Sequence, residues 1–121
     1  MMAPQTTRND PRQRGQEAEE RARAYLEGQG LQTLARNFRT RRGEIDLIMA
    51  DGGVTVFVEV RRRSHPGYGG ATASVDRRKR QRLSRAASAW LARHPGWARF
   101  DVVATDGHEV HWVRDAFREE S

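Results

Sequence analysis

Two acidic residues fall on neighbouring strands in a stretch that has little freedom in how it folds: Gly43-Glu44-Ile45-Asp46-Leu47-Ile48-Met49-Ala50, then Asp51-Gly52-Gly53, then Val54-Thr55-Val56-Phe57-Val58-Glu59-Val60-Arg61. Gly-Gly between two apolar runs is a strong signal for a two-residue hairpin, because both central residues of a type I′ turn need φ > 0. With Gly52 and Gly53 as the turn, Asp46 stands opposite Glu59, and Glu44 opposite Arg61. Cβ atoms in such pairs are about 4.5–5.5 Å apart, and like charges there destabilise a sheet. A hard divalent cation relieves that repulsion, since Mg²⁺ is held by one or two carboxylates plus waters and phosphate oxygens. The competing reading is a solvated acidic pair neutralised by nearby arginines. The apolar runs on either side argue against so exposed a face.

The rest of the chain supplies elements to pack on this hairpin. Gly15–Glu27 is helical in propensity, with Ala18, Ala22, Tyr25 and Leu26 as its apolar stripe and Gly28 and Gly30 as stop signals. Leu31–Phe38 reads as a first strand of imperfect alternation, and Gly43–Ala50 and Val54–Arg63 as the hairpin strands. In the second of these, Val54, Val56, Val58 and Val60 share one face while Phe57, Glu59 and Arg61 share the other. Ser64–Ala73 is a glycine-rich loop carrying Tyr68. A second helix is expected from about Ser74, as N-cap, to Arg93, ended by His94-Pro95-Gly96, with Val75, Leu83, Ala86, Ala87 and Trp90 facing the core. Phe100–Thr105 and Glu109–Val113 complete the pattern around an Asp106-Gly107 turn. The order α-β-β-β-α-β-β predicts an α/β protein, a mixed sheet flanked by helices. Residues 1–13, with Pro4 and Pro11 and no apolar period, read as a mobile arm, 14–118 as one domain and 119–121 as a tail.

Composition excludes several classes of function. There is no cysteine among the 121 residues, so disulfides, thiolate zinc sites and cysteine nucleophiles are ruled out. No run approaches the ~18 apolar residues of a membrane span, and the polar start lacks the apolar core of a signal peptide, so a cytoplasmic protein with no membrane partner is expected. A net charge of +6 and a pI near 11.1 suit a polyanionic partner. Lys79 is the one lysine among 22 basic residues. Such arginine richness follows from genome composition or from the bidentate phosphate contacts arginine makes, and the two are compatible.

Glu59 and Arg61, two apart on one strand, emerge side by side, and Asp46 joins them from the partner strand. Paired carboxylates with a basic neighbour are what metal-dependent phosphodiester hydrolysis needs: the cation lowers the pKa of a water, and the basic group stabilises the transition state. The strings Arg36-Asn37-Phe38-Arg39, Gly43-Glu44-Ile45-Asp46-Leu47-Ile48, Val56-Phe57-Val58-Glu59-Val60-Arg61-Arg62-Arg63, the lone Lys79 and Arg99-Phe100-Asp101-Val102-Val103 together resemble the YraN-like family of small bacterial proteins. The resemblance runs from about Gly15 to Phe117. That family is assigned to the restriction-endonuclease-like PD-(D/E)XK superfamily, close to Holliday-junction resolvases.

The resemblance implies a restriction-endonuclease-like fold and a nuclease using Mg²⁺ or Mn²⁺, with DNA, branched or single-stranded, as substrate. It implies that Asp46 and Glu59 bind the metal and that Glu19, on the first helix, matches the helical glutamate that resolvase-like members add. Glu44 belongs to the family block without an assigned role. The superfamily's lysine, two residues after the second acid, is Arg61 here, and arginine does not deprotonate near neutral pH. Lys79, between Val75 and Leu83 on the sheet-facing stripe of the second helix, is the candidate substitute; otherwise it snorkels at the sheet edge.

Arg78, Arg82 and Arg85 share one helical face and form the candidate nucleic-acid-binding surface, or else a solvated face. Tyr68 could stack on a splayed base. The histidines His65, His94, His108 and His111 make no convincing site, since His108 and His111 point to opposite faces of a strand. Two classes of function therefore stand: a metal-dependent DNA nuclease, and a non-catalytic nucleic-acid-binding module on the same fold. A homodimer is compatible with either.

Overall fold

The computed structural model describes residues 11–62, 75–106 and 108–118. The elements run α1 (Pro11–Gly28), β1 (Gln32–Arg39), β2 (Glu44–Asp51), β3 (Val54–Arg62), α2 (Arg77–Arg93), β4 (Trp97–Thr105) and β5 (Val110–Phe117). They form a five-stranded sheet in sequential order. β3 and β4 pair in parallel and every other neighbouring pair is antiparallel. The parallel pair needs a crossover, and α2 supplies it. This is the expected mixed α/β sheet in the order α-β-β-β-α-β-β. Among the described residues no helix is long and apolar enough to cross a membrane.

The alternation of β3 divides the core into two layers. Phe57 joins Ile45, Ile48, Phe100, Val102 and the α2 residues Leu83, Ala86 and Ala87. Val56 and Val58 join Leu47, Met49, Val103 and the α1 residues Ala22 and Leu26 on the other face. Successive strand side chains point to opposite faces, so α1 and α2 cover opposite sides of the sheet. The expected division of β3 into a valine face and a Phe57-Glu59-Arg61 face holds.

α1 ends as its glycines suggest. Gly30 has φ 101°, its N–H donates to Glu27 O, and Leu31 N–H donates to Leu26 O. Those two bonds make a Schellman motif, closed by the burial of Leu26 and Leu31 in one cluster. α1 begins at Pro11, four residues before Gly15. α2 begins later than expected: Asp76 is the N-cap, its carboxylate accepting from Lys79 N–H at 2.9 Å, and Val75 is buried just ahead of the helix. Ser74, Arg63, the Ser64–Ala73 loop with Tyr68 and His65, and most of the N-terminal arm lie outside the described residues.

The hairpin has the expected register, with Leu47–Val58 through Asp51–Val54 paired. The turn type differs: Gly52 has φ 61° while Gly53 stays out of the left-handed region, which is the sign pattern of type II′ rather than I′. β4 starts at Trp97, three residues before Phe100, and β5 continues to Phe117 through a register shift at which Asp115 takes φ 50°.

Candidate active site

The site forms where β2 leaves β3. Beyond the Leu47–Val58 pair, the next donor of β3, Val60 N–H, turns to Asp46 Oδ2 at 2.8 Å. A side-chain carboxylate thus takes the place of a strand carbonyl, and the strands part. The expected Glu44–Arg61 pair does not form for the same reason. Glu44 instead lies 3.5 Å from Arg39 Nε and 3.8 Å from Arg82 Nη2.

β1 turns over at the same level. Asn37, at φ 50°, lies between the Arg36–Leu47 and Phe38–Ile45 pairs and so faces Asp46. Ala35 and Phe38 are three apart, as are Ile45 and Ile48, yet all four pack into the α2-side core. A regular strand would send each of those pairs to opposite faces. The twist opens the sheet end and lets groups from α1 and α2, on opposite faces, approach the same carboxylates.

Glu59 is only 4 % exposed. A buried carboxylate must be paired, and here Lys79 Nζ approaches Oε2 at 2.9 Å while Arg61 Nη1 stands 3.4 Å from the same oxygen. Lys79 therefore turns inward from α2 to the acidic pair instead of snorkelling at the edge. Asp46 is within hydrogen-bonding reach of Glu59. Burial first, then the charge of Glu59, pushes its carboxyl up to about 8, against the opposing pull of the Val60 N–H. Glu19 on α1 is raised as well, by burial first, with the hydrogen bond from Asn37 opposing and the charges of Glu59 and Glu44 adding. Glu19 is held over β1 by the next residue, since Glu20 Oε1 pairs with Arg36 Nη2 at 3.2 Å.

A cleft of about 220 Å³ opens on this group. Glu44, Asp46 and Glu59 line its sheet side and Arg78, Lys79 and Arg82 its α2 side. Arg78, Arg82 and Arg85 are all exposed on α2, but Arg85 lies outside the cleft wall. Among the described residues no three His, Asp or Glu side chains make a ready-formed metal cluster. His94 stacks on Trp90 at 4.1 Å, and His111 lies 3.5 Å from Glu109, both away from the cleft.

Three residues carry more of the structure than their types suggest. Gly43 is buried against α2, and a Cβ there would lie 1.8 Å from the Arg82 carbonyl oxygen. Asn37 holds the left-handed turn beside the acids. Asp101, fully buried, accepts from Arg99 Nε at 2.9 Å, Arg99 Nη2 at 3.2 Å, Trp112 Nε1 at 2.9 Å and Asp115 N–H at 2.9 Å. Those four bonds tie β4 to β5. All three residues lie in the family-like strings or beside them, but only their surroundings give them a role.

The raised Asp46 carboxyl sets a pH dependence of stability. The folded state holds this proton up to about 8, whereas an unfolded aspartate releases it near 3.9. Protons bound only in the folded state make unfolding easier as pH rises, so this contribution is complete below about pH 4 and is lost on the way to pH 8. Asn at position 46 keeps an oxygen for the Val60 N–H and carries no charge. Asp46→Asn is expected to raise Tm in metal-free buffer at pH 8 and to leave it nearly unchanged at pH 4, as thermal melts of the two proteins across that range would show. A Tm difference independent of pH would contradict a shared proton at this pair.

A small mixed-sheet domain with a buried acidic pair at a splayed sheet end, walled by a basic helix, is the class of protein these features define. The chain belongs to the family described as Uncharacterised protein family UPF0102, which matches residues 18–105. It is 57% identical over 107 residues to the UPF0102 protein of Alkalilimnicola ehrlichii, covering 85% of each chain. It is 52% identical over 115 residues to UPF0102 protein YraN of Escherichia coli and to that of Shigella sonnei, covering 91% of this chain and 88% of theirs. The YraN-like resemblance seen in the sequence is thereby established.

Proposed function

We propose that the chain is a metal-dependent nuclease that hydrolyses DNA phosphodiester bonds, with Asp46 and Glu59 as the metal-binding acids and Lys79 as the basic catalytic group. The observation that carries this reading is the meeting of three groups from three elements: Asp46 of β2, Glu59 of β3 and Lys79 of α2, in a cleft whose outer wall is arginine. A purely structural acidic pair gains nothing from being buried together beside a cleft.

The residues fit a hard cation. Both donors are carboxylates, and they stand close enough to share a proton, a repulsion that a divalent ion would relieve in the proton's place. Mg²⁺ or Mn²⁺ so held would activate a water and neutralise charge developing on the phosphate. Glu19 is near enough to sense the charge of Glu59 and would complete or neighbour the set. Lys79 has three N–H donors and uses one on Glu59. The others are free to orient the attacking water or a phosphate oxygen in the cleft. Arg61, on the same Glu59 oxygen, occupies the place of the superfamily's lysine and supplies positive charge without proton transfer. Arg78 and Arg82 at the cleft mouth, with Arg85 beyond them, would bind the DNA backbone without regard to sequence. The resolvase-like resemblance favours branched or single-stranded DNA.

The binding-module alternative draws on one observation: Glu59 is already neutralised by two basic side chains, one of them the replacement Arg61. Mn²⁺ calorimetry together with a panel of labelled linear, flapped and four-way DNA substrates separates the two. The nuclease reading expects Mn²⁺ binding that the Asp46→Ala, Glu59→Ala double variant loses, and metal-dependent cleavage of at least one substrate. DNA binding with neither metal uptake nor cleavage establishes the module.

A further inference from the structure

The left-handed backbone at Asn37 has no explanation in the strand that carries it. β1 is an edge strand, and a non-glycine residue at φ 50° is uncommon, with asparagine among the few types that tolerate it. Its position in the register makes the conformation informative. Asn37 faces Asp46 across the β1–β2 ladder at the one level where both strands turn over. Its side chain hydrogen-bonds the carboxyl of Glu19, which comes from α1 on the other side of the sheet from Lys79. The amide is the donor, because a carboxylate only accepts.

We infer that Asn37 is a positioning residue for the acidic site: its turned backbone directs the side-chain amide at Glu19 and fixes that carboxylate beside the Asp46–Glu59 pair. The inference rests on the metal-site reading of that pair and adds to it the device that recruits a third acid. α1 alone does not fix where Glu19 points, since a glutamate on a helix surface samples several rotamers. Ion pairing of the adjacent Glu20 with Arg36, also on β1, sets the helix at the right height. The amide of Asn37 then selects the Glu19 rotamer. Ligand-orienting partners of this kind typically contribute 10–100-fold to metal affinity. Because Asn37 is exposed, the lower end of that range applies.

Glycine provides the discriminating variant, because it accepts φ 50° without a Cβ penalty and removes only the amide. In the full-length protein, Asn37→Gly is expected to keep its Tm within about 2 °C of wild type, at the lower edge of the shift about 1 kcal/mol produces, and to bind Mn²⁺ about tenfold more weakly by calorimetry. In a Glu19→Gln background the same change should have no further effect on Mn²⁺ affinity, since its target carboxylate is gone. Wild-type affinity in Asn37→Gly, or losses that multiply in the double variant, would overturn the assignment. If wild type takes up no Mn²⁺, the metal-site reading itself falls. The Asn37–Glu19 link is then read directly by NMR: a shift of the Asn37 side-chain amide resonances in Glu19→Gln supports it, and unmoved resonances overturn it.

Discussion

Lys79→Ala is expected to lower metal-dependent DNA cleavage by about 10²–10³-fold, the usual loss on removing one pre-placed donor to a transition state, while Mn²⁺ and DNA binding persist. The expectation follows from what Lys79 touches. Its Nζ is 2.9 Å from Glu59 Oε2 and lines the cleft, but it holds no strand or helix in place. Removing it leaves Glu59 with Arg61 as a cationic neighbour at 3.4 Å, so the carboxylate keeps a partner and the fold keeps its sheet. Metal affinity is expected to stay level or rise, because one positive charge competing for Glu59 is gone. A group that acts only in the transition state shows this split, with the rate falling and ground-state binding unaffected. Arg61→Lys gives the complementary result: it restores the superfamily's residue at that strand position and should preserve or raise cleavage. Rates under Mg²⁺ and Mn²⁺ for both variants, beside calorimetric affinities, check the pair. Cleavage by Lys79→Ala at the wild-type rate would remove the lysine from the mechanism.

Gly43→Ala is expected to act on both the fold and the site. The added Cβ would sit 1.8 Å from the Arg82 carbonyl oxygen, 2.7 Å from its carbonyl carbon and 3.1 Å from its Cα. All of these are backbone atoms of a helix interior, so no side-chain rotation relieves the clash. Either α2 moves outward or the Thr40–Gly43 turn rearranges. That turn is held by Thr40 N–H to Gly43 O at 2.8 Å and Gly43 N–H to Thr40 Oγ1 at 3.1 Å, and it fixes where β2 starts. Overpacking of this kind costs about 1–3 kcal/mol, sometimes more. For a domain of this size about 1 kcal/mol lowers Tm by roughly 4–8 °C. An outward shift of α2 also draws Lys79 away from Glu59, so activity should fall even at temperatures where the variant is folded. Thermal melts paired with cleavage assays test both effects. A Gly43→Ala protein with unchanged Tm would show that the helix does not approach this closely.

The sequence made the acidic pair legible because the hairpin constrained it. Gly52-Gly53 and the valine alternation of β3 fixed a register that the structure keeps from Asp51–Val54 to Leu47–Val58. What lay beyond Leu47 was not legible, since a side-chain carboxylate replacing a backbone acceptor leaves no mark in hydrophobic periodicity. Glu44 was therefore placed opposite Arg61, while the structure gives it to Arg39 and Arg82. The inward reach of Lys79 was half-legible: its position along the helix stripe allowed it, but only the packing distance between α2 and β3 decides whether a lysine ends at a carboxylate or in water. The limits of β4 and β5 were misjudged for a related reason. Trp97-Ala98-Arg99 does not look like strand until Arg99 is seen bonded to buried Asp101, and Asp115 breaks the alternation of β5 before Phe117 restores it. The N-cap of α2 was read at Ser74 because serine is a good cap. Asp76 is an equally good one and stands at the helix's actual start.

The two outer strands of the sheet have one thing in common. β1 slips register between Thr33 and Ala35 and turns over at Asn37, while β5 is broken by the shift opposite Asp101 and by left-handed Asp115. A flat outer strand with unpaired N–H and C=O groups is a template on which another chain can add, and kinks of this kind blunt it. The four donors that converge on Asp101 further bar β5 from peeling away to expose β4. The sheet is therefore a finished object of five strands, with no run of straight edge for a sixth. A partner must come to the molecule through its side chains, and the place where they are assembled to receive one is the notch between β2 and β3.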